Sequence, residues 1–462
     1  MRLMGVILAC CRLLALEAQA GMSVWPDYLG VTMPPNVAPL NFKVKGVEGA
    51  IRAEMRAPDG RTLVTAASGD GVVAWPLKKW REFLASTVGQ AVELSVQSAD
   101  ARLVVTNVVS AHPLDRFLTY RLISPSYRNF REMGIYRRDL TTYSETRIYN
   151  NLRVGTGQCV NCHTYNQGRA DEYLFHLRGK KGGTRIVSRH HGTFTADLQA
   201  DWMFAPAQYP AWHPSGDFVA FSVNETKQAF YADNPDRIEV FDLRSDLALY
   251  DLATREILPI ETTNEILETF PTWSPDGTRL YTARARTSLR DMSGTKDDRF
   301  NRIQPMLKDI YYDLAVRRFD LKTRRFSEPE TVIDGQESRL SVTQPRLSPD
   351  GRWLVFTVGP YGSFHVWHKA ADLWMLDLET RTIRRLDELN GSDSESYHCF
   401  SHDGRWLVFS SRRDDGTFTR PYFAAFDAKT GRFSKPFLLP VEHPDDHLRR
   451  MKSYNIPEFS EP

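Results

Sequence analysis

Residues 159–163 read Cys-Val-Asn-Cys-His and carry the most specific chemical signal in the sequence. Two thiols three positions apart can add to the two vinyl groups of one porphyrin, and the imidazole that follows can bind its iron. The spacing therefore predicts one covalently attached haem c, held by Cys159 and Cys162, with His163 as the proximal iron ligand. A zinc site would need a second ligand pair, and a redox dithiol would follow a strand of a βαβ unit, so both alternatives are disfavoured.

A six-coordinate iron would need a second axial ligand. Residues 170–178 predict a short helix with acidic residues in its first turn and an arginine in its last. His176 follows His163 closely enough to reach the opposite haem face and is the predicted distal ligand. The alternates are Met203, His190, His191 and His398, and a five-coordinate iron also remains open.

The first twenty residues have the anatomy of a secretory signal. An arginine at position 2 precedes an apolar stretch from 3 to 16, and Ala-Gln-Ala at 18–20 forms a small-x-small cleavage site. We therefore expect an exported protein of the periplasm or cell envelope. The mean hydropathy is −0.41, and no long apolar run follows the signal. We accordingly expect no integral membrane span after signal removal.

The composition excludes several classes of protein. Of 462 residues, 42% are hydrophobic and 25% are charged, which describes a globular chain rather than a disordered or collagen-like one. The formal net charge of +2 argues against nucleic-acid binding. Five cysteines are too few for a disulfide scaffold, and we expect Cys399 to be a buried strand thiol.

A repeated segment dominates the second half of the sequence. Each copy contains a short strand, a Pro/Asp/Gly turn and a strand rich in β-branched or aromatic residues. The four copies are 210–222, 271–283, 345–357 and 398–410. Each is followed by further strand-like segments around an aspartate, which gives the four-strand pattern of a propeller blade.

These repeats resemble the Pro-Asp-Gly blades of the TolB-like β-propellers, over about residues 182–440. The full Trp-Ser-Pro-Asp-Gly form occurs at 273–277, and the other copies depart from it by one or two residues. The resemblance implies a mainly β fold with a TolB-like propeller of five or six blades. The whole sequence also resembles exported bacterial proteins that combine a C-x-x-C-H segment with such a propeller, which adds architecture and location but little mechanism.

The predicted organisation has four parts: a signal peptide at 1–20, a small β-sandwich-like domain at 21–111, a connector with the c-type haem segment at 112–181, and the propeller at 182–462. Residues 112–158 contain eight arginines and four acidic residues. This stretch is either a solvated connector or a basic rim that pairs with haem propionates or an acidic redox partner.

Two functions fit these features. The first is electron transfer by a monohaem c-type cytochrome whose propeller docks a redox or envelope protein partner. The alternative is a periplasmic binding or scaffold protein in which the haem is structural or sensory. No G-x-S-x-G elbow is present, so a hydrolase is disfavoured, and an enzyme is the less favoured class overall. The charged insertion at 284–309 and the turn at 412–415 are predicted to help form the docking face.

Overall fold

The computed structural model describes residues 21–124, 133–151, 159–179, 182–234, 236–287 and 291–461. β-strands account for most of the regular structure in these ranges. None of the helices there has the length and apolar character needed to cross a membrane. The predicted signal at 1–20 lies outside the described residues.

The described residues of the N-terminal region form a small β-rich domain with one helix, α1 (Leu77–Ser86). Its strands are β1 (Ser23–Trp25), β2 (Thr32–Met33), β3 (Phe42–Lys45), β4 (Arg52–Arg56), β5 (Thr62–Ala66), β6 (Val72–Val73), β7 (Ala91–Gln97) and β8 (Arg102–Val109). They form a three-stranded sheet, β1-β3-β6, and a five-stranded sheet, β2-β8-β7-β4-β5. Both sheets share one hydrophobic core with α1, which buries Trp80.

The next seven strands begin the propeller. They are β9 (Phe117–Ile123), β10 (Gly134–Asp139), β11 (Glu145–Asn150), β12 (Cys159–Tyr165), β13 (Tyr173–Arg178), β14 (Gly183–Ser188) and β15 (Gly192–Ala196). The strands β12 to β15 pair in chain order as an antiparallel sheet, which we call blade 1.

Blades 2 and 3 follow and are linked by a single bridge between Ser245 and Leu267. Blade 2 consists of β16 (Ala207–Trp212), β17 (Phe218–Phe230), β18 (Ile238–Asp251) and β19 (Ile257–Glu261). Blade 3 consists of β20 (Ile266–Trp273), β21 (Arg279–Arg286), β22 (Asp313–Asp320), β23 (Arg325–Phe326) and β24 (Glu330–Ile333). The insertion in blade 3 carries α2 (Lys296–Ile303) and a 3₁₀ helix (Gln304–Asp309).

Blades 4 and 5 have the same antiparallel order. A short helix, α3 (Gly335–Ser338), precedes blade 4, and a 3₁₀ helix (His365–Trp367) lies within it. Blade 4 consists of β25 (Ser341–Leu347), β26 (Trp353–Gly359), β27 (Asp372–Asp377) and β28 (Ile383–Arg385). Blade 5 consists of β29 (Glu395–Phe400), β30 (Trp406–Ser411), β31 (Arg420–Asp427), β32 (Arg432–Phe433) and β33 (Phe437–Leu438).

Blade 6 is assembled from both ends of the propeller. After α4 (Asp446–Arg449), the strand β34 (Ser453–Ser460) pairs antiparallel with β9, and the sheet order is β11-β10-β9-β34. The first strands of the other blades, β12, β16, β20, β25 and β29, contact one another in that order, and β34 contacts both β29 and β12. These six inner strands therefore close a ring, and the predicted mainly β propeller is confirmed with six blades.

The repeated turn explains the local geometry of the blades. Ser274 Oγ donates to the Asp276 carboxylate at 2.5 Å, and the same carboxylate accepts the Thr278 N–H at 3.0 Å. Gly277 supplies the positive φ of 72° that this turn requires. The same serine–aspartate bond recurs at Ser348/Asp350 and Ser401/Asp403.

Each inner strand also contains a β-bulge at a corresponding position. The register shifts there, and five of the six strands place a non-glycine residue at positive φ. These residues are Cys162, Tyr209, Phe270, Gln344 and Tyr397, with φ of 50°, 46°, 53°, 52° and 37°. A bulge redirects a side chain, so the ring carries one redirected residue from each of these strands.

The helix predicted at 170–178 is wrong, because residues 173–178 form β13. Phe175 packs in the cluster shared with blade 6, and Leu174 packs in the cluster shared with blade 2. A strand buried on both faces loses the simple alternation of polar and apolar residues. The Glu172 carboxylate accepts the Asn166 side-chain N–H at 2.8 Å instead of capping a helix.

The predicted boundary between a connector at 112–181 and a propeller at 182–462 also differs from the structure. It falls between β13 and β14, which are hydrogen-bonded neighbours in blade 1. The three strands β9 to β11 belong to blade 6. The difference arises because the partner of β9 is β34, far away in the sequence and without the Pro-Asp-Gly repeat.

Candidate functional site

Three adjoining cavities lie within the ring of inner strands. The thiol cavity, of about 320 Å³, is lined by Cys159, Cys162 and Arg178, among others. The turn-side cavity, of about 410 Å³, lies where the inner strands lead into the repeated turns and is lined by Trp273 and Glu458, among others. A constriction of about 40 Å³ shares Cys162 with the thiol cavity and Glu458 with the turn-side cavity.

Cys159 and Cys162 lie on β12, the inner strand of blade 1. In a regular strand, side chains three positions apart face opposite sides of the sheet. Here the register shifts between Asn161 and Thr164, and Cys162 has a φ of 50°. The bulge redirects the second cysteine, so both residues line the thiol cavity, and both thiols are free.

His163 follows on the same strand and is buried, with 5% of its surface exposed. Burial, with the nearby charge of Arg121, lowers the pKa of its imidazole to about 3, although the backbone of Ile456 and Thr119 opposes the shift. The ring is therefore neutral near pH 7. Its Nε2 atom has no hydrogen-bond partner among the described residues. A neutral imidazole with an unengaged nitrogen is the form that binds iron.

Two arginines flank the first cysteine. Arg178 is directly opposite Cys159 in the pairing of β12 with β13, and Arg121 reaches it from β9 of blade 6. Burial raises the pKa of the Cys159 thiol, while the two guanidinium groups oppose this shift. Cys159 is therefore a protonated thiol near pH 7. Its Sγ atom lies 3.5 Å from the Met133 Sδ atom.

His176, the predicted distal ligand, lies on β13 directly opposite Asn161. Its Nδ1 atom is 2.7 Å from Thr184 Oγ1, and its Nε2 atom has no hydrogen-bond partner within the described ranges. Burial, followed by the charge of Arg178, lowers its pKa to about 3. The structure thus places His176 in the same blade as the motif and in the neutral form, and its distal role stays a prediction.

The four residues predicted as alternative distal ligands lie in different environments. Met203 is buried in the core shared by blades 1 and 2, and His190 and His191 lie between β14 and β15. The His191 Nε2 atom is 3.1 Å from an Asp217 carboxylate oxygen. His398, on β29, donates from Nε2 to the Val355 carbonyl at 2.8 Å and lines the constriction.

The constriction contains a partly buried carboxyl group, that of Glu458. Glu458 accepts hydrogen bonds from Thr164 Oγ1 and from the Tyr165 N–H, both at 3.1 Å. Burial raises its pKa to about 7, against the opposing charge of Arg346. The group is therefore about half protonated near neutral pH.

Sequence reasoning missed Arg178, Met133 and Glu458 as members of this site. Met133 and Glu458 belong to blade 6, which no repeat pattern predicts. Arg178 could have been found, because the aromatic residues Tyr173 and Phe175 favour a strand over a helix at 173–178.

The residues present fit covalent haem attachment in their donor chemistry. Two free thiols line one cavity, and the adjacent neutral imidazole has an unengaged nitrogen. In the part of the chain that the structure describes, no cluster of three or more His, Cys, Asp or Glu side chains is arranged to hold a metal ion.

The architecture is a six-bladed β-propeller preceded by a small β-rich domain. No protein-family model matches the sequence, and no curated protein matches it. Among solved structures, TolB from Acinetobacter baumannii is 13% identical over 81% of this chain and 80% of its own, with a TM-score of 0.46. Kuenenia stuttgartiensis hydrazine synthase is 13% identical over 72% of this chain and 47% of its own, with a TM-score of 0.43.

A hypothetical selenium-binding protein from Sulfolobus tokodaii is 10% identical over 76% of this chain and 97% of its own, with a TM-score of 0.42. These values are too low to transfer the activity of any of the three proteins to this chain.

Proposed function

We propose that this protein is an exported, monohaem c-type cytochrome-like protein that transfers electrons and uses its propeller to dock a redox or envelope protein partner. Cys159 and Cys162 would hold the haem covalently, and His163 would be the proximal ligand. The observation that carries the proposal is the bulge in β12, which brings both thiols to one cavity beside a neutral imidazole.

The haem would supply a one-electron redox centre. The chain would hold this group on a strand that is fixed by its neighbours. β12 is hydrogen-bonded to β13 along one edge and contacts the inner strands of blades 2 and 6. A motif held in this way keeps its thiols and imidazole in fixed relative positions, which favours one orientation of the attached group.

The helix α2 of the charged insertion packs beside the thiol cavity. Thr226 and Gln228, on the extended part of β17, line the thiol cavity. The neighbouring Lys227 forms an ion pair with Asp297 of α2. Arg299 of α2 pairs with Glu225 through bonds of 2.8 and 2.7 Å.

The insertion is also anchored in the core shared by blades 2 and 3, because Ile303 is fully buried there. The charged helix α2 beside the thiol cavity supports the proposal that a partner docks at this end of the propeller. Association through such a surface should weaken with rising salt.

The alternative is that the haem is structural or sensory in a scaffold protein. One observation favours it: β12 contacts both β34 and β9, so the motif lies at the seam where the last strand closes the ring. A covalent group at this seam would stabilise the closure. Under this alternative, haem loading would raise the unfolding temperature strongly while partner binding would not depend on the redox state of the iron.

Covalent attachment is tested by producing the protein in a host that matures c-type cytochromes and staining a denaturing gel for haem. Wild type and Cys399→Ser should retain haem, because Cys399 lies outside the motif on β29. Cys159→Ser combined with Cys162→Ser should lose it. Loss of haem from wild type, or its retention in the double variant, would reject the proposal.

A further inference from the structure

The thiol cavity carries uncompensated positive charge. Its charged lining residues among those described are Arg121 and Arg178, and the other polar groups that line it are amides, hydroxyls and the two thiols. Neither arginine is in an ion pair with a described residue, whereas the buried Arg317 is paired with Glu268 at 2.7 Å.

Among the described residues, several guanidinium N–H groups at this cavity also have no hydrogen-bond partner. Arg121 donates from Nη1 to the Val160 carbonyl at 3.2 Å and from Nη2 to Asn455 Oδ1 at 3.3 Å, but its buried Nε has no partner. The buried Nε and Nη2 atoms of Arg178 have none either. Unmade hydrogen bonds at buried N–H groups of a partly buried cation are costly, so an anion in the cavity would relieve an existing energetic penalty.

The two arginines approach the cavity from different blades. Arg178 ends β13 of blade 1, opposite Cys159, and Arg121 is on β9 of blade 6. Arg121 donates to the carbonyl of Val160, the residue after Cys159, and both arginines line the thiol cavity together with Cys159. An anion bound between them would therefore lie next to the first thiol.

We propose that Arg121 and Arg178 form a carboxylate-binding site in the thiol cavity. The Nε and Nη2 atoms of one guanidinium are the pair that donates two parallel hydrogen bonds to a carboxylate, and both are unengaged on Arg178. The carboxylate comes either from a propionate of the attached haem, in which case the inference rests on the proposed function, or from a free small carboxylate.

The first test uses full-length protein produced without haem. Glutarate should raise the unfolding temperature of wild type in a concentration-dependent manner, and uncharged glutaramide should not. Arg178→Gln should weaken the apparent affinity for glutarate about tenfold or more, since it removes a charged, two-point contact. Arg185→Gln is the matched control, because Arg185 is an exposed residue of β14 in the same blade. Arg178→Lys keeps the charge and should give an intermediate loss.

The second test uses the haem-containing protein and distinguishes the two sources. If a propionate occupies the site, the loaded protein should not bind glutarate, and Arg178→Gln should lower the midpoint potential relative to Arg185→Gln, because removing a nearby positive charge disfavours the reduced iron. If the carboxylate is free, the loaded protein should still bind glutarate and should lose this binding in Arg178→Gln.

The inference is overturned if Arg178→Gln and Arg178→Lys match the Arg185→Gln control in both tests. Failure to attach haem would defeat the proposed function, while the haem-free test would still decide whether the arginines bind a carboxylate.

Discussion

Closure of the ring by β34 predicts that one phenylalanine near the end of that strand stabilises the whole propeller. Phe459 is 1% exposed and pairs with Leu118 of β9 across blade 6. Its ring centroid lies 6.0 Å from that of Phe423 in blade 5. Phe459 thus contributes to the core that joins blades 5 and 6, and Phe459→Ala would leave a cavity there.

The expected loss is about 3–5 kcal/mol, the usual cost of truncating a fully buried phenylalanine. Since domains unfold with only about 5–15 kcal/mol of stability, this change should be large. Urea unfolding followed by tryptophan fluorescence measures it, because the chain contains 10 tryptophans. The unfolding midpoint should fall while the slope stays the same. Phe459→Leu, which keeps most of the apolar volume, should lose about 1–2 kcal/mol.

The control is Ile383→Ala, a truncation at a strand residue that is 43% exposed. It should change stability by about 0.5 kcal/mol or less. A loss below about 1 kcal/mol for Phe459→Ala would refute the argument that β34 is a packed, closing strand of the ring.

Two further predictions concern Glu458 in the constriction and Gly277 in a repeated turn. Burial raises the pKa of Glu458 from 4.5 to about 7, so between these pH values the folded protein keeps a proton that the unfolded chain has released. The free energy of unfolding should therefore fall as the pH rises from about 4.5 through 7. Glu458→Gln should remove on the order of 3 kcal/mol of that fall, measured as the unfolding free energy at pH 5 and pH 8, and an unchanged pH slope would contradict the burial of this group. At Gly277, which has a φ of 72°, an added Cβ would lie 2.4 Å from the His213 Nε2 atom, whereas at Gly60, with a φ of 89°, it would meet nothing within 4 Å. Gly277→Ala should therefore cost about 1–2 kcal/mol more than Gly60→Ala in urea unfolding, and equal losses would show that the turn adapts.

The parts of the fold that depend on local chemistry could be predicted from the sequence. The turn at 273–277 sets its own geometry through a proline, the Ser274–Asp276 bond and a glycine at positive φ. Four such turns predict four blades, because each one joins an inner strand to the next strand of the same blade.

The parts that depend on distant pairing could not be predicted in this way. Arg121 and Asn455 are 334 residues apart and yet lie on paired strands, and no local pattern marks them as partners. The same limit applies to the site. The spacing of Cys159, Cys162 and His163 predicts the attachment chemistry, which remains a prediction, but the position of the motif on an inner strand depends on the bulge and on neighbouring blades.

The use of β34 as the inner strand of blade 6 has a consequence for the order of events during synthesis of the chain. β12 is made near the start of the propeller, and its neighbour β34 is made after all five other inner strands. Until β34 arrives, the ring has a gap directly beside the C-x-x-C-H segment, and the edge of β9 that β34 later covers is open. A protein that modifies the two thiols therefore has access to them from the time Cys162 has been synthesised until β34 pairs with β9 and closes the ring.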